Sequence, residues 1–275
     1  MEEICIYLIH NNSPDRIDLR NKLKNLSNNL NIKLIEIYEQ DNNFKINLSL
    51  RNKLLILKIY FLRFSFDFKH KKNFSLKFYY FLLKRLIKLA KSIFCIIFSV
   101  SNKNENTLKK FKIESLVMQK HIKAWEHFLK SNKKIMIIFE DDAICKKDSE
   151  RRLIDVLGSL KNIDFENIYI DLAGGLNLYD VIPKSKIQQT QNDFNLVKGI
   201  YTNTACSYLI HQNLTRLLFK EYQKTKMNEF FPIDHLINKL AMNINRSQNI
   251  FSIHFHKPLF THGSFKGNIK SWQIY

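Results

Sequence analysis

The sequence predicts an α/β protein with a mostly parallel central sheet and a basic, aromatic helical insertion. Short apolar runs alternate along the chain with longer segments in which apolar residues recur every three or four positions. Such alternation is typical of helices packed on a parallel sheet. Between residues 45 and 100 the pattern changes, because aromatic residues there are interleaved with lysines. We therefore expect a main domain, residues 1–44 and 101–275, interrupted by an insertion, residues 45–100.

The main domain contains nine segments whose spacing predicts a helix or a strand. In chain order they are strand 4–10, helix 15–30, strand 32–38, helix 107–130, strand 135–139, helix 147–160, strand 167–172, strand 207–210 and helix 213–224. Ser13 and Pro14 fit the cap and the first turn of the first helix, because proline is favoured where the backbone N–H has no helical partner.

Most of the excess positive charge lies in the insertion. It holds thirteen Lys or Arg and one acidic residue, so it contributes +12 of the net +19. A helix there would group lysines in a narrow arc and surround them with apolar side chains; these lysines are Lys77, Lys84, Lys88 and Lys91. No window reaches the roughly 18 uncharged apolar residues that a membrane span needs. We expect the insertion to lie on an anionic membrane surface.

Two other interpretations of the insertion remain open. It would pack on the main domain as a basic helical hairpin, or it would bind nucleic acid. Nucleic acid is the least expected partner, because the segment carries more aliphatic bulk than a groove that tracks phosphates needs.

The cysteines and the N-terminus favour a cytoplasmic protein. Cys5, Cys95, Cys145 and Cys206 form no metal-binding or redox spacing, and we expect them to be reduced. The chain begins with two glutamates before a short strand, so it lacks the basic start and the apolar length of a signal peptide. The expected location is the inner face of the cell membrane, with peripheral attachment.

The strongest chemical signal is a run of three carboxylates, Glu140-Asp141-Asp142, directly after the apolar strand 135–139. The carboxyl ends of strands in open α/β sheets are where ligands bind. Adjacent carboxylates repel one another, and either solvent or a divalent cation offsets this repulsion. A solvated loop or a helix N-terminus is the alternative to a metal site.

Further short motifs follow one another along the chain around this run. They are Ile6-Tyr7-Leu8-Ile9 with Asp15-Arg16, Glu114 with His121 and Trp125-Glu126, Tyr201 to Ile210, Pro232-Ile233-Asp234-His235, and Pro258-Leu259 with the tail from Gly263 to Ser271. Together with Phe139-Glu140-Asp141-Asp142 they resemble the glycosyltransferases of family 25, which include lipooligosaccharide and collagen galactosyltransferases. The resemblance covers residues 1–42 and 106–275, so the main domain is expected to be the glycosyltransferase domain.

The resemblance implies a GT-A-like fold that binds a UDP-sugar and Mn²⁺ or Mg²⁺, and an inverting transfer. Asp142 is the expected direct metal ligand, and Glu140 and Asp141 are the candidates for a second ligand. His262 would complete the metal shell, with His254 and His256 as alternatives. For each of these histidines, a strand or loop position without metal is the competing interpretation.

The remaining expected roles concern the nucleotide, the sugar and the acceptor. Glu140 or Asp141 would contact the ribose, Arg16 the phosphate or the base, and Asp171 the sugar. Asp234 is the candidate general base, with Glu229 in reserve, although Asp234 could instead be a helix N-cap. His121 and Trp125 are expected to orient the acidic strand rather than to touch the substrate.

The expected activity is transfer of a hexose, with galactose as the first candidate, to a lipooligosaccharide or lipopolysaccharide acceptor. The chain departs from the family before the Trp-Glu pair, where Ile113, Leu116, Val117 and Lys120 replace a glycine-rich stretch that ends in Ser-His. A catalytically silent scaffold that binds membranes or polyanions is therefore the alternative. A metal-dependent nucleic-acid enzyme is a third, weaker one.

Overall fold

The computed structural model describes residues 3–38, 54, 57–65, nine helical positions between 80 and 94, 101–160, 165–174, 182, 184–191, 193–225, 228–229 and 231–263. The chain forms two compact units. The first comprises Met1–Gln40 and Val117–Ser271, and the second comprises Asp41–Leu116 and Trp272–Tyr275.

The described residues form ten strands and five longer helices outside the region between 54 and 94. They are β1 (Ile4–His10), α1 (Ile17–Asn29), β2 (Lys33–Tyr38), α2 (Ser101–Leu129), β3 (Ile135–Glu140), β4 (Ala143–Cys145), α3 (Ser149–Ser159), β5 (Ile168–Asp171), β6 (Ile187–Thr190), β7 (Phe194–Lys198), β8 (Ser207–His211), α4 (Gln212–Gln223), α5 (Ile233–Ile244), β9 (Phe251–Phe255) and β10 (Phe260–His262).

Eight strands form one sheet in the order β2-β1-β3-β8-β5-β9-β7-β6, and β4 pairs with β10 separately. β1 is parallel to β2 and β3, and β5 is parallel to β9. β8 and β7 are antiparallel to both of their neighbours. In the described part of the sheet six strands therefore point one way and two the other. The α/β class is confirmed, with a sheet that is mixed in its pairing.

The two faces of the sheet are covered by different helices. One face is apolar and packs against α1 and α3, with Leu23, Leu153 and Leu157 in the same buried cluster as Ile137 and Leu209. On the other face the indole of Trp125 and the ring of His127, both on α2, hydrogen-bond to strand tyrosines. β1 and β3 lie between these layers, which explains why their sequences are continuous apolar runs rather than alternating ones.

Several predicted elements need correction. The helix predicted from residue 15 begins as a 3-10 turn, Pro14–Arg16, and becomes α-helical at Ile17. Ser13 occupies the cap position of that turn without capping it, because its hydroxyl donates to the Asp15 carboxylate. α2 begins at Ser101, before the predicted start at 107. The prediction missed β4, β6, β7, β9, β10 and α5.

In the second unit, the helical residues 57–65 pack on the first half of α2. Arg63 forms an ion pair with Glu114 at 2.7 Å and lies 4.6 Å from the ring centre of Phe111. Ile59 is buried beside them. Of the predicted lysine arc, Lys77 and Lys88 lie outside the described residues. None of the described helices is both long enough and apolar enough to cross a membrane.

Because β3 is central to the apolar layer, Ile137→Ala should lower the free energy of unfolding by about 2–5 kcal/mol through lost burial and a residual cavity. Ile154→Ala is the matched control: Ile154 lies on α3 and is 49% exposed, whereas Ile137 is fully buried. We expect its effect to stay within about 0.5 kcal/mol. Urea unfolding followed by tryptophan fluorescence would compare the two variants, and equal effects would contradict the layer assignment.

Candidate functional site

The acidic run lies at the edge of the sheet where the parallel strands β1, β3, β5 and β9 end. Backbone hydrogen bonds hold each of its residues in place. The N–H of Glu140 donates to the carbonyl of Cys206 at 2.8 Å, and the N–H of Asp141 donates to the carbonyl of Ile9 at 3.0 Å. The carbonyl of Asp142 accepts from the N–H of Gly263 at 2.9 Å. The three carboxylates are thus placed by β1, β8 and the end of β10.

Asp141 points to the loop after β1. Its carboxylate is fully buried and lies 2.6 Å from the Arg16 guanidinium and 3.9 Å from that of Arg20. Burial raises the pKa of Asp141 to about 7, and the adjacent Arg16 opposes this rise. Arg16 is itself buried, so the two predicted nucleotide contacts, Arg16 and Asp141, face each other. Their contact with a nucleotide remains a prediction, whereas their pairing joins the loop to the acidic run.

Asp142 faces His262 on β10. Their side chains approach to 3.6 Å, from the Asp142 Oδ2 to the His262 Nε2. This separation follows from the small β4–β10 sheet, in which His262 is paired with Ala143, the residue directly after Asp142. The two residues are 120 positions apart in the sequence, and only the analogy with GT-A transferases suggested that they meet. The structure brings them together.

Glu140 points to the opposite side of β3, toward α2. Its Oε1 lies 3.0 Å from the Nε2 of His121. Burial, followed by the nearby charge of Asp142, raises the pKa of Glu140 to about 8. Burial also lowers the pKa of His121 to about 3, so that imidazole is neutral. His121 therefore orients Glu140 without contributing a charge, as expected for a residue that orients the acidic strand.

Asp171 and His254 form a second polar pair at the same edge. They are direct neighbours in the β5–β9 ladder, and the Asp171 Oδ2 lies 3.6 Å from the His254 Nδ1. The other Asp171 oxygen accepts from the backbone N–H groups of Ala173 and Gly174. Gly174 has φ +60°, and a Cβ there would lie 2.6 Å from Pro258. This turn therefore requires glycine and packs on the segment that leads to β10.

The other predicted residues lie differently. Asp234 is in the first turn of α5, and its Oδ1 accepts from the backbone N–H of His235 at 2.9 Å. The cap position belongs to Pro232, so the N-cap interpretation of Asp234 is wrong. The charge of Asp234 influences the pKa values of Glu140 and His121, which places it near them. His256 is exposed and bonds to the carbonyl of Gln191.

Glu229 is exposed, and among the described residues no hydrogen bond or ion pair joins its side chain to the acidic run. Lys120, one of the departures from the family pattern, is fully buried and donates to the carbonyl of His10 at 3.0 Å. It thus supports the end of β1.

A divalent cation fits the pair formed by Asp142 and His262. Adjacent ligand atoms on an octahedral ion with bonds of about 2.1 Å are roughly 3.0 Å apart, so the observed 3.6 Å would shorten by about 0.6 Å when both side chains hold one ion. Among the described residues, no three His, Cys, Asp or Glu side chains converge into a complete metal site. Mg²⁺ and similar ions commonly take one or two protein carboxylates and complete their shell with phosphate oxygens and water. The pair therefore fits an ion that arrives with a phosphate-bearing ligand.

Sequence reasoning missed Tyr208. This β8 residue is fully buried, and its hydroxyl contacts both His121 and Trp125. His121 and Trp125 are one helical turn apart and both carry N–H groups, so each needs a polar partner when it is buried. That need indicates that polar partners exist, but not that one residue of β8 serves both.

Comparison with known proteins adds little. No family model matches the chain, and no curated protein matches it either. Among solved structures, one similar chain is described as a glycosyltransferase involved in the glycosylation of the major capsid of PBCV-1. The two share 7% sequence identity with a TM-score of 0.33, over 90% of this chain and 91% of that one. A likeness this weak carries no argument about fold or activity.

The end of β1 provides a test of the electrostatics at this edge. His10 is buried, and burial together with Arg20 lowers its pKa from 6.5 to about 4, although Glu36 lies 3.1 Å away. Between these two pKa values, His10 binds a proton in the unfolded chain but not in the folded chain, so protonation favours unfolding. Stability should be unaffected by His10 above pH 6.5 and should fall between pH 6.5 and 4, by at most about 3 kcal/mol.

His10→Asn should flatten this part of the pH profile, because asparagine does not titrate and its side-chain oxygen can still accept from the Asn12 N–H. His256→Asn, at an exposed histidine, should leave the profile unchanged. Urea unfolding at half-unit pH steps is the measurement, and a wild-type slope that persists in His10→Asn would refute the assignment.

Proposed function

We propose that this protein is a metal-dependent glycosyltransferase that moves a hexose from a UDP-sugar to a hydroxyl group of a lipooligosaccharide- or lipopolysaccharide-type acceptor. The observation that carries the proposal is the pairing of Asp142 with His262 beside Glu140, at the edge where parallel strands end. The motifs that resemble family 25 support it, because Arg16 and the run Glu140 to Asp142, which belong to those motifs, lie at that edge. Galactose as the sugar rests on the resemblance alone.

Asp142 and His262 would hold Mn²⁺ or Mg²⁺, with Glu140 as a further ligand or a ribose contact. The ion would supply Lewis-acid stabilisation of the departing diphosphate. The protein supplies a site in which burial, and then the nearby charge of Asp142, raise the pKa of Glu140 and so disfavour its ionised form. A cation is attracted to such a site because it relieves the repulsion between the two carboxylates.

We assign the acceptor side to Asp234. An inverting transfer needs a carboxylate within hydrogen-bond reach of the attacking hydroxyl. Asp234 is partly exposed and near Glu140, and one of its oxygens is held by the His235 N–H. Its other oxygen is the one we assign to the acceptor proton. The exposed Glu229 has no comparable support, so Asp234 is preferred.

On the donor side, we assign Asp171 to a sugar hydroxyl and the Arg16–Asp141 pair to the nucleotide. Asp171 is rigidly held by its turn and by β9. Arg16 would act from the loop after β1, and Asp141, directly after β3, would hold its guanidinium in place.

Metal-dependent nucleotide binding is the first expected result. Calorimetric titration with UDP in the presence of Mn²⁺ should give saturable binding that disappears with EDTA. Asp142→Asn removes a carboxylate charge from the metal pair, so it should weaken this binding at least tenfold, in line with losses of about 10–100-fold for residues that support metal sites. Asp155→Asn, at an exposed carboxylate on α3, is the matched control and should bind as the wild type does.

If the wild type binds no UDP, UDP-galactose or UDP-glucose with Mn²⁺ or Mg²⁺, the transferase proposal fails. The catalytically silent scaffold would then be favoured. The reason for this alternative is that the sequence before Trp125 differs from the family pattern. In that segment Lys120 donates to the carbonyl of His10 and so supports the end of β1.

We further propose that the second unit attaches the enzyme to an anionic membrane surface on the cytoplasmic side, where a lipid-linked acceptor would be available. The described helical positions between 54 and 94 expose many large apolar side chains. They are Leu54, Phe61, Tyr80, Leu83, Leu86, Ile87, Ile93 and Phe94. Exposed apolar residues within a segment of net charge +12 suit a surface that offers both acyl chains and anionic headgroups.

Vesicle sedimentation tests this attachment. The protein should pellet with phosphatidylglycerol-containing vesicles and not with pure phosphatidylcholine, because the basic segment needs negative headgroups. Leu83→Ser with Ile87→Ser should reduce the bound fraction severalfold. The control is Ile17→Ser with Ile154→Ser, which removes similarly exposed side chains from the first unit. Equal loss in both double variants, or binding that ignores lipid charge, would contradict the proposal.

A further inference from the structure

A buried chain of hydrogen bonds runs from α2 through β8 to the acidic run. The indole N–H of Trp125 is 2.9 Å from the Tyr208 hydroxyl, and that hydroxyl is 3.0 Å from the Nδ1 of His121. The Nε2 of His121 is 3.0 Å from the Oε1 of Glu140. Trp125, Tyr208 and His121 are all fully buried, whereas the Glu140 side chain is 14% exposed. The chain therefore begins in the core and ends at the edge of the site.

The two ends of this chain set the direction of its hydrogen bonds. An indole N–H can only donate, so the Tyr208 oxygen accepts from Trp125. An ionised carboxylate can only accept, so a neutral His121 that bonds to ionised Glu140 carries its proton on Nε2. Its Nδ1 is then an acceptor, and the Tyr208 hydroxyl donates to it.

We propose that Trp125, Tyr208 and His121 are positioning residues that hold Glu140 through a one-way chain of donors, which assigns Oε1 to the protein and Oε2 to the ligand. This assignment rests on the proposed function for the identity of that ligand, a divalent cation or a ribose hydroxyl. The tautomer of His121 does not depend on which ligand binds.

A neutral donor suits this position. A charged partner, such as the arginine that faces Asp141, would compete with a cation for Glu140. The Nε2–H of a neutral imidazole holds the Glu140 side chain in place and adds no positive charge that would compete with a cation. Second-layer donors of this kind orient ligating groups in metal sites, and their loss typically costs about 10–100-fold in affinity.

The structure offers a matched control. Tyr7 on β1 is also fully buried on the same face of the sheet, and its hydroxyl lies 2.7 Å from the Nδ1 of His127 on α2. Tyr208→Phe and Tyr7→Phe each remove one hydroxyl from a buried tyrosine that bonds to a histidine of α2; His121 is buried and His127 is exposed. Of the two pairs, the one with Tyr208 leads to Glu140.

The experiment has two independent readouts. Nitrogen NMR of protein labelled at histidine should show His121 with a protonated Nε2 and an unprotonated Nδ1, and Tyr208→Phe should abolish that fixed tautomer. Mn²⁺ affinity, measured by electron paramagnetic resonance with and without UDP, should fall about tenfold or more in Tyr208→Phe. Tyr7→Phe should leave both readouts unchanged.

A conservative rescue separates positioning from packing. His121→Gln can still donate to Glu140 from near the Nε2 position and should keep most of the Mn²⁺ affinity, whereas His121→Met fills similar space without a donor and should lose it. Equal losses in the two variants would show a packing role and overturn the proposal, as would an Nδ1-protonated His121. If the wild type binds neither Mn²⁺ nor UDP, the proposed function fails, and the NMR result alone decides the direction of the chain.

Discussion

Repulsion between three consecutive carboxylates is the constraint around which this end of the protein is arranged. Glu140, Asp141 and Asp142 follow a fully buried strand, so solvent screens them only in part. Each of the three carboxylates has a different partner. Asp141 receives a guanidinium, Glu140 a neutral imidazole, and Asp142 the histidine on β10.

The geometry of a strand makes this division possible. Successive side chains of a strand point to opposite faces, so Glu140 and Asp141 leave β3 in opposite directions. Glu140 meets α2 on one side of the sheet, and Asp141 meets the loop that leads into α1 on the other. The chain then turns at Asp142 into β4, and the pairing of β4 with β10 brings His262 across from the turn. Three adjacent residues thus draw partners from three distant segments.

Much of this arrangement was readable in the sequence where a local pattern was strong. β1 was predicted with the bounds that the structure shows, Ile4 to His10, because six apolar or aromatic positions lead into a polar loop. β3 was predicted for the same reason. The edge strand β6 was missed because it is mostly polar and exposed, and β7 because its five residues are too few for a clear alternating pattern. The three-residue β4 and β10 are too short for any periodicity.

The site was less predictable than the fold for a related physical reason. Asp142 and Glu140 could be proposed from one segment, since they follow one strand. Tyr208 could not, because nothing within β8 distinguishes a tyrosine that packs from one that relays a hydrogen bond. That distinction depends on α2, which places Trp125 and His121 over the same hydroxyl. The packing of α2 on β8, two segments far apart in the sequence, therefore determines this part of the site. No local sequence pattern predicts that packing.

The distribution of positive charge at this edge distinguishes Asp141 from its two neighbours in the acidic run. Among the described residues, the permanent charges of Arg16 and Arg20 both face Asp141. The pair formed by Glu140 and Asp142 is met by histidines, which carry charge only when protonated. A histidine beside Glu140 and another beside Asp142 compete less with a cation than guanidinium groups at the same positions would. The same reasoning explains why a neutral His121 serves the proposed site better than a lysine or an arginine would at that position.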